Sequence, residues 1–369
     1  MKVIVVGAGI AGLAIGWRMA QAGADIEIYD RGLAGRGATW AAAGMIAPGA
    51  ELNEESNELA RFARLSRAAW PAFAAELETE SGFSIGYSEP GSLITALDET
   101  RAQVLQQRAD ELSSSNIHAE WLPSTALLAG EPTLSPALHG ALYIPGDAQV
   151  DNRLTGEALR LALARRHVAV QENTEIREML IEAGRVRGVI CAGGAVSADA
   201  VIVASGAWLN AFGSPAVELP PVSPVKGQMV AVQPPDGTSL PKHLLWGENG
   251  YLVSRRGRVL IGATVEDAGF DTSVSSEARS QLVAAAARIV PALSGWRISE
   301  MWAGLRPRTP DGAPVIGACG VEGLYVAGGQ FRNGILFAPS VADAVRRLVL
   351  TSEPVSEIRA FAPARFAQV

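Results

Sequence analysis

The chain has 369 residues, 48% hydrophobic and 19% charged, a balance that can offset ordering entropy, so disordered and fibrous folds are excluded and roughly two or three domains are expected. Lys and Arg number 31 against 38 Asp and Glu, a net charge of −7, which argues against nucleic acid as a partner because phosphate binding needs a concentrated basic face. The two cysteines, Cys191 and Cys319, match no metal or redox spacing, and no apolar stretch approaches the ~20 residues that cross a bilayer. With no secretory pattern after Met1, the expectation is a cytoplasmic protein with no metal site and no membrane span.

In chain order, Val3 to Val6 reads as a buried parallel strand, Gly7-Ala8-Gly9-Ile10-Ala11-Gly12 follows at once, and Leu13 to Ala22 continues as an alanine-rich helix stopped by Gly23. Ile26 to Asp30 is a second strand ending in an acid, which completes a βαβ opening. Asn57 to Ser81 reads as a helix, Ser84 to Leu97 as strands around the Pro90-Gly91 turn, and Arg101 to Leu112 as a polar surface helix. Leu138 to Val150 is strand and turn, Leu154 to Arg166 a helix, and Val168 to Val170 a short strand. A strand pair around Gly184 precedes Asp199 to Ala204, which leads into Ser205-Gly206. From Val222 the texture is antiparallel: Val225 to Val232, then Tyr251 to Ser254 and Arg258 to Gly262 across an Arg-Arg-Gly turn suited to a hairpin. A helix from Ser276 to Val290, a strand from Leu324 to Ala327 and a helix from Ser340 to Leu350 close the chain.

The pattern predicts an α/β protein: a Rossmann-like dinucleotide-binding domain from residues 1–83, 140–220 and 303–369, with an inserted antiparallel-sheet (α+β) domain from 84–139 and 221–302 that binds substrate. In the glycine loop, Gly7 permits the sharp turn, Gly9 lets backbone amides approach a pyrophosphate, and Gly12 lets the helix pack close to the strand. Ile10 and Ala11 open the helix whose positive end faces the phosphate. Asp30, eighteen residues beyond Gly12, is placed to bond a ribose hydroxyl, with Arg31 beside it. NAD and FAD use the same loop, but Ala42, Ala43, Gly44 and Met45 lie in a run of small residues whose backbone can rest against a large flat ring, which favours FAD.

Further motifs follow in order: Pro224 to Met229, Gly262 to Asp267, Trp302 to Pro307 with Thr309 to Gly317, and Gly328 to Pro339. Together with the N-terminal fingerprint they resemble, over essentially the whole chain, the FAD-dependent D-amino-acid oxidase family, and within it the bacterial glycine oxidases of thiamine-thiazole formation. The resemblance implies oxidation of glycine and other small amines or D-amino acids, such as sarcosine and D-alanine, by hydride transfer to flavin. Dioxygen would be the acceptor, the products a 2-oxo acid, ammonia or amine and hydrogen peroxide, and the imine would serve thiazole synthesis. It also implies noncovalent FAD, because Gly304 stands where covalently flavinylated relatives carry a cysteine.

Arg306 is the candidate for the substrate carboxylate, since a planar guanidinium can give two parallel charge-assisted hydrogen bonds; the competing role is an ion pair with Asp311 or Glu300. By resemblance Tyr251 covers the substrate, with cross-strand packing as the alternative. By the same resemblance Arg332 sits beside the flavin and the substrate amine, and Gly329, Asn333, Gly334 and Ile335 line the ring where a helix start favours negative charge on it, a glycine turn that merely packs the last helix being the alternative. Val170 resembles the residue whose backbone meets the adenine, a core valine being the alternative, and Ser205 and Gly206 complete the cofactor set. His118, His139, His167 and His243 fall outside every motif, and hydride transfer does not demand an acid–base residue.

The chain departs from the family pattern at Asp30, where Glu is commoner, at Gln330, where His is frequent, and at Val265, which replaces a Met. The rival reading is a flavin dehydrogenase of D-amino or imino acids that passes electrons to a quinone or carrier. Homo-oligomerisation is left open, and the acidic charge argues against an RNA-modifying enzyme of the same family.

Overall fold

The computed structural model describes residues 1–51, 57–114, 117–212, 217–351 and 355–367. A six-stranded sheet runs in the order Val315–Ala318, Leu324–Gly328, Ala200–Val203, Lys2–Val6, Asp25–Tyr29, Ala169–Gln171. Only its first pair is antiparallel. Val3, Ile4 and Val5 are fully buried at the centre, as expected of a parallel strand covered on both faces. On one face the helices Ile10–Gln21, Asn57–Ser81, Asn152–Arg165 and Gly334–Thr351 pack around Trp17, Trp70 and Phe337. On the other, a three-stranded sheet, Ile176–Glu182, Arg185–Cys191 and Gly194–Ser197, contributes Ile176, Met179, Val186 and Val189 to a second cluster with Ile4 and Val203.

An eight-stranded sheet stands beside this layer, in the order Arg297–Arg308, Ser223–Gln233, Arg258–Gly262, Gly250–Arg255, Leu244–Gly247, Ser92–Ala96, Gly140–Ile144, Glu120–Pro123. The expected hairpin turns through Arg256 and Gly257, both at positive φ (48° and 75°), the geometry whose twist matches that of its strands. The helix Ser276–Ile289 closes one face through Leu282, Ala286 and Ile289. No helix among the described residues is long and apolar enough to cross a membrane.

Three details differ from the sequence expectation. Gly140–Ile144 pairs with Ser92–Ala96 in the eight-stranded sheet. Between Ser84 and Leu97 only Ser92–Ala96 is a continuous strand. The last helix begins at Gly334, not Ser340, and carries Pro339 inside it: burial of Ile335, Leu336 and Phe337 outweighs the hydrogen bond that the proline removes.

The glycine-loop helix lies so close to the first strand that a Cβ on Gly12 would sit 1.9 Å from the carbonyl oxygen of Gly7. Gly12→Ala should therefore lower the denaturant midpoint by the equivalent of about 1–3 kcal/mol with an unchanged m value; an unshifted midpoint would contradict that packing.

Candidate active site

Between the two large sheets lies a cavity of about 1690 Å³, larger than the roughly 300–1,000 Å³ of an ordinary small-molecule site. It runs from the glycine loop to the strand Arg297–Arg308, and most residues singled out in the sequence line it: Gly7, Gly9, Ile10, Ala11, Asp30, Arg31, Ala42, Ala43, Gly44, Met45, Ser205, Gly206, Tyr251, Arg306, Arg332, Gly334 and Ile335. Gly12, Gly329, Asn333 and Val170 are not among its lining residues.

The three loop glycines have different reasons to be glycine. Gly7 has φ 109° and its Cβ would meet the Ala204 carbonyl oxygen at 2.5 Å, so the protein's own backbone excludes a side chain there, as at Gly12. Gly9 has an ordinary φ of −75°, and the only atom near its would-be Cβ is Thr39 Oγ1 at 3.5 Å. The protein leaves the space over Gly9 open to the cavity, as a phosphate cradle requires. Gly9 caps Ile10–Gln21 without a side-chain hydrogen bond, so the helix's positive end faces that space. Asp30 accepts hydrogen bonds from the Ala8 amide (2.7 Å) and the Gly32 amide (2.8 Å), which fixes the carboxylate while leaving lone pairs for a ribose. The Arg31 guanidinium stacks 3.8 Å over the Trp208 ring.

The small-residue run is held from outside. Asn152 donates to the carbonyls of Thr39 (2.8 Å) and Trp40 (3.0 Å), Trp302 Nε1 to that of Ala41 (2.9 Å), and Arg255 Nη2 to that of Ala43 (2.6 Å). Arg255 also donates to Asn152 Oδ1 at 2.7 Å; burial pushes its guanidinium down to about 10. Sequence reasoning missed Asn152 and Arg255 and quoted Trp302 without a role, because no local pattern links three residues that meet only at this segment. Gly44, at φ 77°, completes the turn: a Cβ there would lie 2.1 Å from the Val150 carbonyl oxygen.

At the far end of the cavity, Arg306 donates to the carbonyls of Thr264 (3.1 Å) and Lys226 (3.4 Å). Its guanidinium lies flat on Gly227, whose would-be Cβ comes within 2.3 Å of Nη1. Both competing ion pairs are absent: Glu300 binds Arg153 and Arg258, and Asp311 binds Arg365. Burial pushes the Arg306 pKa down, Tyr251 opposes that shift, and the like charge of Arg332 adds to it. Glu51, which shares the cavity, opposes the shift with its negative charge, and a largely desolvated cation hydrogen-bonded to two carbonyls still gains from an anion that joins it. Burial raises the pKa of Tyr251, and Arg306 counteracts it. The Tyr251 hydroxyl is 3.3 Å from Met229 Sδ, and Gly262 makes room for the ring, its would-be Cβ falling 2.6 Å from Tyr251 Cζ.

Gly329 (φ 64°) and Asn333 shape the turn into the last helix rather than lining the cavity; the Phe337 amide donates to the Asn333 carbonyl at 2.8 Å. Two buried side-chain atoms, Ser205 Oγ and Asn333 Oδ1, have no hydrogen-bond partner among the described residues. Val170 belongs to the edge strand Ala169–Gln171 and packs half-buried against the helical core. The chain reaches the cavity four residues later, at Thr174, Glu175 and Ile176, where the Thr174 amide donates to the Asp30 carbonyl (2.7 Å).

A glycine cradle, an acid placed for ribose, a flat small-residue wall and a half-buried arginine facing the cavity define a dinucleotide-dependent oxidoreductase that acts on an anionic substrate. The chain belongs to the FAD dependent oxidoreductase family, whose profile matches residues 2–348, and its cofactor is FAD. It is 36% identical to the glycine oxidase of Geobacillus kaustophilus, covering 98% of this chain and 96% of that one. It is 33% identical to the bifunctional protein ThiO/ThiG of Synechocystis, covering 99% of this chain and 54% of that one. The crystal structure of the Geobacillus kaustophilus glycine oxidase superposes with a TM-score of 0.93 at 34% identity over the whole of both chains. The residues fit the cofactor: the open space over Gly9, the free Oγ of Ser205 and the flat wall at Ala42–Gly44 are what a dinucleotide with a large ring requires.

Gly9→Val should yield a folded protein with a near-normal melting temperature that purifies without yellow colour and takes up no FAD. A fully flavinated variant would show that the phosphate lies elsewhere.

Proposed function

We propose that the protein is an oxidase of glycine and other small amines or D-amino acids, sarcosine and D-alanine among them, that yields a 2-oxo acid, ammonia or amine and hydrogen peroxide. The observation that carries this reading is Arg306, a half-buried guanidinium that pairs with neither Asp311 nor Glu300, in the same cavity as Tyr251 and the glycine cradle. Relatives named glycine oxidase at 33–36% identity over nearly the full length support it.

FAD, when bound, supplies the hydride acceptor and the route to dioxygen; this chain supplies position and a dry site. Gly7, Gly9, Ile10, Ala11 and Asp30 hold the nucleotide half, and Ala42 to Met45 with Gly334 and Ile335 hold the ring. Arg306 takes the substrate carboxylate in two parallel bonds, Tyr251 closes over it, and Arg332 borders the amine. FAD is bound noncovalently: Gly304 packs on the ring-side segment so tightly that its would-be Cβ lies 2.4 Å from Ala41 Cβ, leaving no room for a cysteine. Delivery of the imine to thiazole formation is the biological use we favour, supported by the bifunctional Synechocystis relative.

In air, glycine should produce hydrogen peroxide in step with oxygen consumed; turnover only with a quinone or dye acceptor would replace the oxidase reading with a dehydrogenase. Arg306→Ala should stay yellow and lose at least about a hundredfold in kcat/KM for glycine, as two charge-assisted bonds worth about 1.5–3 kcal/mol each disappear. Unchanged kcat/KM would remove Arg306 from carboxylate binding.

A further inference from the structure

A site that binds an amino acid through its carboxylate must also receive the other end of the zwitterion, and a side chain able to do so comes from a segment that no sequence motif marked. The strand Met45–Ile46 pairs with Ala148–Gln149 and leads into the helical residues Pro48–Glu51. Glu51 lines the cavity together with Tyr251 and Arg306. Its negative charge reaches both, raising the pKa of each.

These helical residues are gripped by side chains from elsewhere in the fold. Asp147, 1% exposed, accepts the Gly49 amide on Oδ1 (3.0 Å) and the Ala50 amide on Oδ2 (3.1 Å). Arg108, from the helix Glu99–Ser114, donates to the Gly49 carbonyl at 2.7 Å. Gly49 itself fits against Ile144, where a Cβ would fall 2.6 Å from Cγ2. A bidentate carboxylate on two successive amides fixes both the height and the rotation of the turn, and with them the direction in which Glu51 leaves it.

We propose that Glu51 receives the ammonium group of the substrate while Arg306 receives its carboxylate, and that Asp147 is the positioning residue that holds Glu51 in place. The inference rests on the amino-acid-oxidase reading of the site. It makes the pocket selective for zwitterions over simple carboxylates and diacids, which Glu51 repels. It also couples substrate capture to pH. Burial pushes the Asp147 carboxyl up to about 6, against the lowering effect of the Ser92 hydroxyl, the Gly49 and Ala50 amides and the Arg67 charge. The charged groups that face Asp147 are Arg67 from the helix Asn57–Ser81 and Arg108 from Glu99–Ser114. Above that pH the ionised carboxylate grips both amides; below it, one oxygen carries a proton and the grip loosens.

The test uses the FAD-loaded enzyme and two probes, glycine as the zwitterion and acetate as a carboxylate without an ammonium group, the latter read by perturbation of the flavin absorbance. Glu51→Gln should raise the KM for glycine about tenfold while changing kcat much less, and should tighten acetate about twofold to threefold, because a repelling charge is gone. Asp147→Asn should raise the glycine KM in the same way and abolish its rise between about pH 7 and 5 in the unsubstituted enzyme. If Asp147→Asn does not fold, that rise, present in the unsubstituted enzyme and flat in Glu51→Gln, carries the test. Unchanged glycine KM and unchanged acetate affinity in Glu51→Gln would overturn the proposal, as would a pH-independent KM in the unsubstituted enzyme. An Asp147→Asn protein with a lower melting temperature but an ordinary KM would reduce Asp147 to a stability residue. Absence of glycine turnover in the unsubstituted enzyme would instead strike the oxidase reading, with the acetate titration still reporting on Glu51.

Discussion

The wall that a flat ring can rest on is built from a segment with almost no means of holding itself. Ala41, Ala42, Ala43 and Gly44 have no polar side chains, so the segment's backbone carbonyls are fixed by groups that arrive from elsewhere: those of Thr39 and Trp40 by Asn152 at the start of a helix in the nucleotide layer, and those of Ala43 and Ala41 by Arg255 and Trp302 from strands of the eight-stranded sheet. Small residues keep the surface flat, and the side chains that stiffen it stay on the far side. This clamp also joins the two large sheets, because a single segment is bonded by both. A second tie reinforces it: Arg153, stacked 3.6 Å over Trp40, shares Glu300 with Arg258 of the large sheet.

The buried arginines show how the same residue type serves structure at one position and binding at another. Burial lowers the pKa of both Arg255 and Arg306. Arg255 is enclosed, with Asn152 Oδ1 and the Ala43 carbonyl as partners and Asp151 close enough for its charge to be felt. Arg306 has two carbonyls on one edge and the cavity on the other. Glycines make both placements possible: Gly44 lies under the Arg255 guanidinium and Gly227 under that of Arg306.

What the sequence revealed follows how local each feature is. The βαβ opening was legible because strand, loop, helix and acid all fall within Lys2 to Asp30 and each obeys a local rule. Arg306 was legible as a carboxylate binder, but its freedom from ion pairing was not, since that depends on Arg365 taking Asp311 and on Arg153 and Arg258 taking Glu300. The stretch Thr174 to Ile176 was not singled out, because only the crossing of the chain past Asp30 brings it to the cavity. Asp147, in a Pro-Gly-Asp turn that reads as ordinary loop, gave no signal of its contact with Gly49 and Ala50, nearly a hundred residues away.

The most direct test of the account is anaerobic mixing of the FAD-loaded protein with glycine, followed by air, with the visible spectrum recorded throughout. The account requires the yellow absorbance to bleach with glycine and to return rapidly as oxygen is admitted, with peroxide formed. A spectrum untouched by glycine, sarcosine and D-alanine alike would contradict it, because it would leave Arg306 facing a cavity that no small amino acid enters productively.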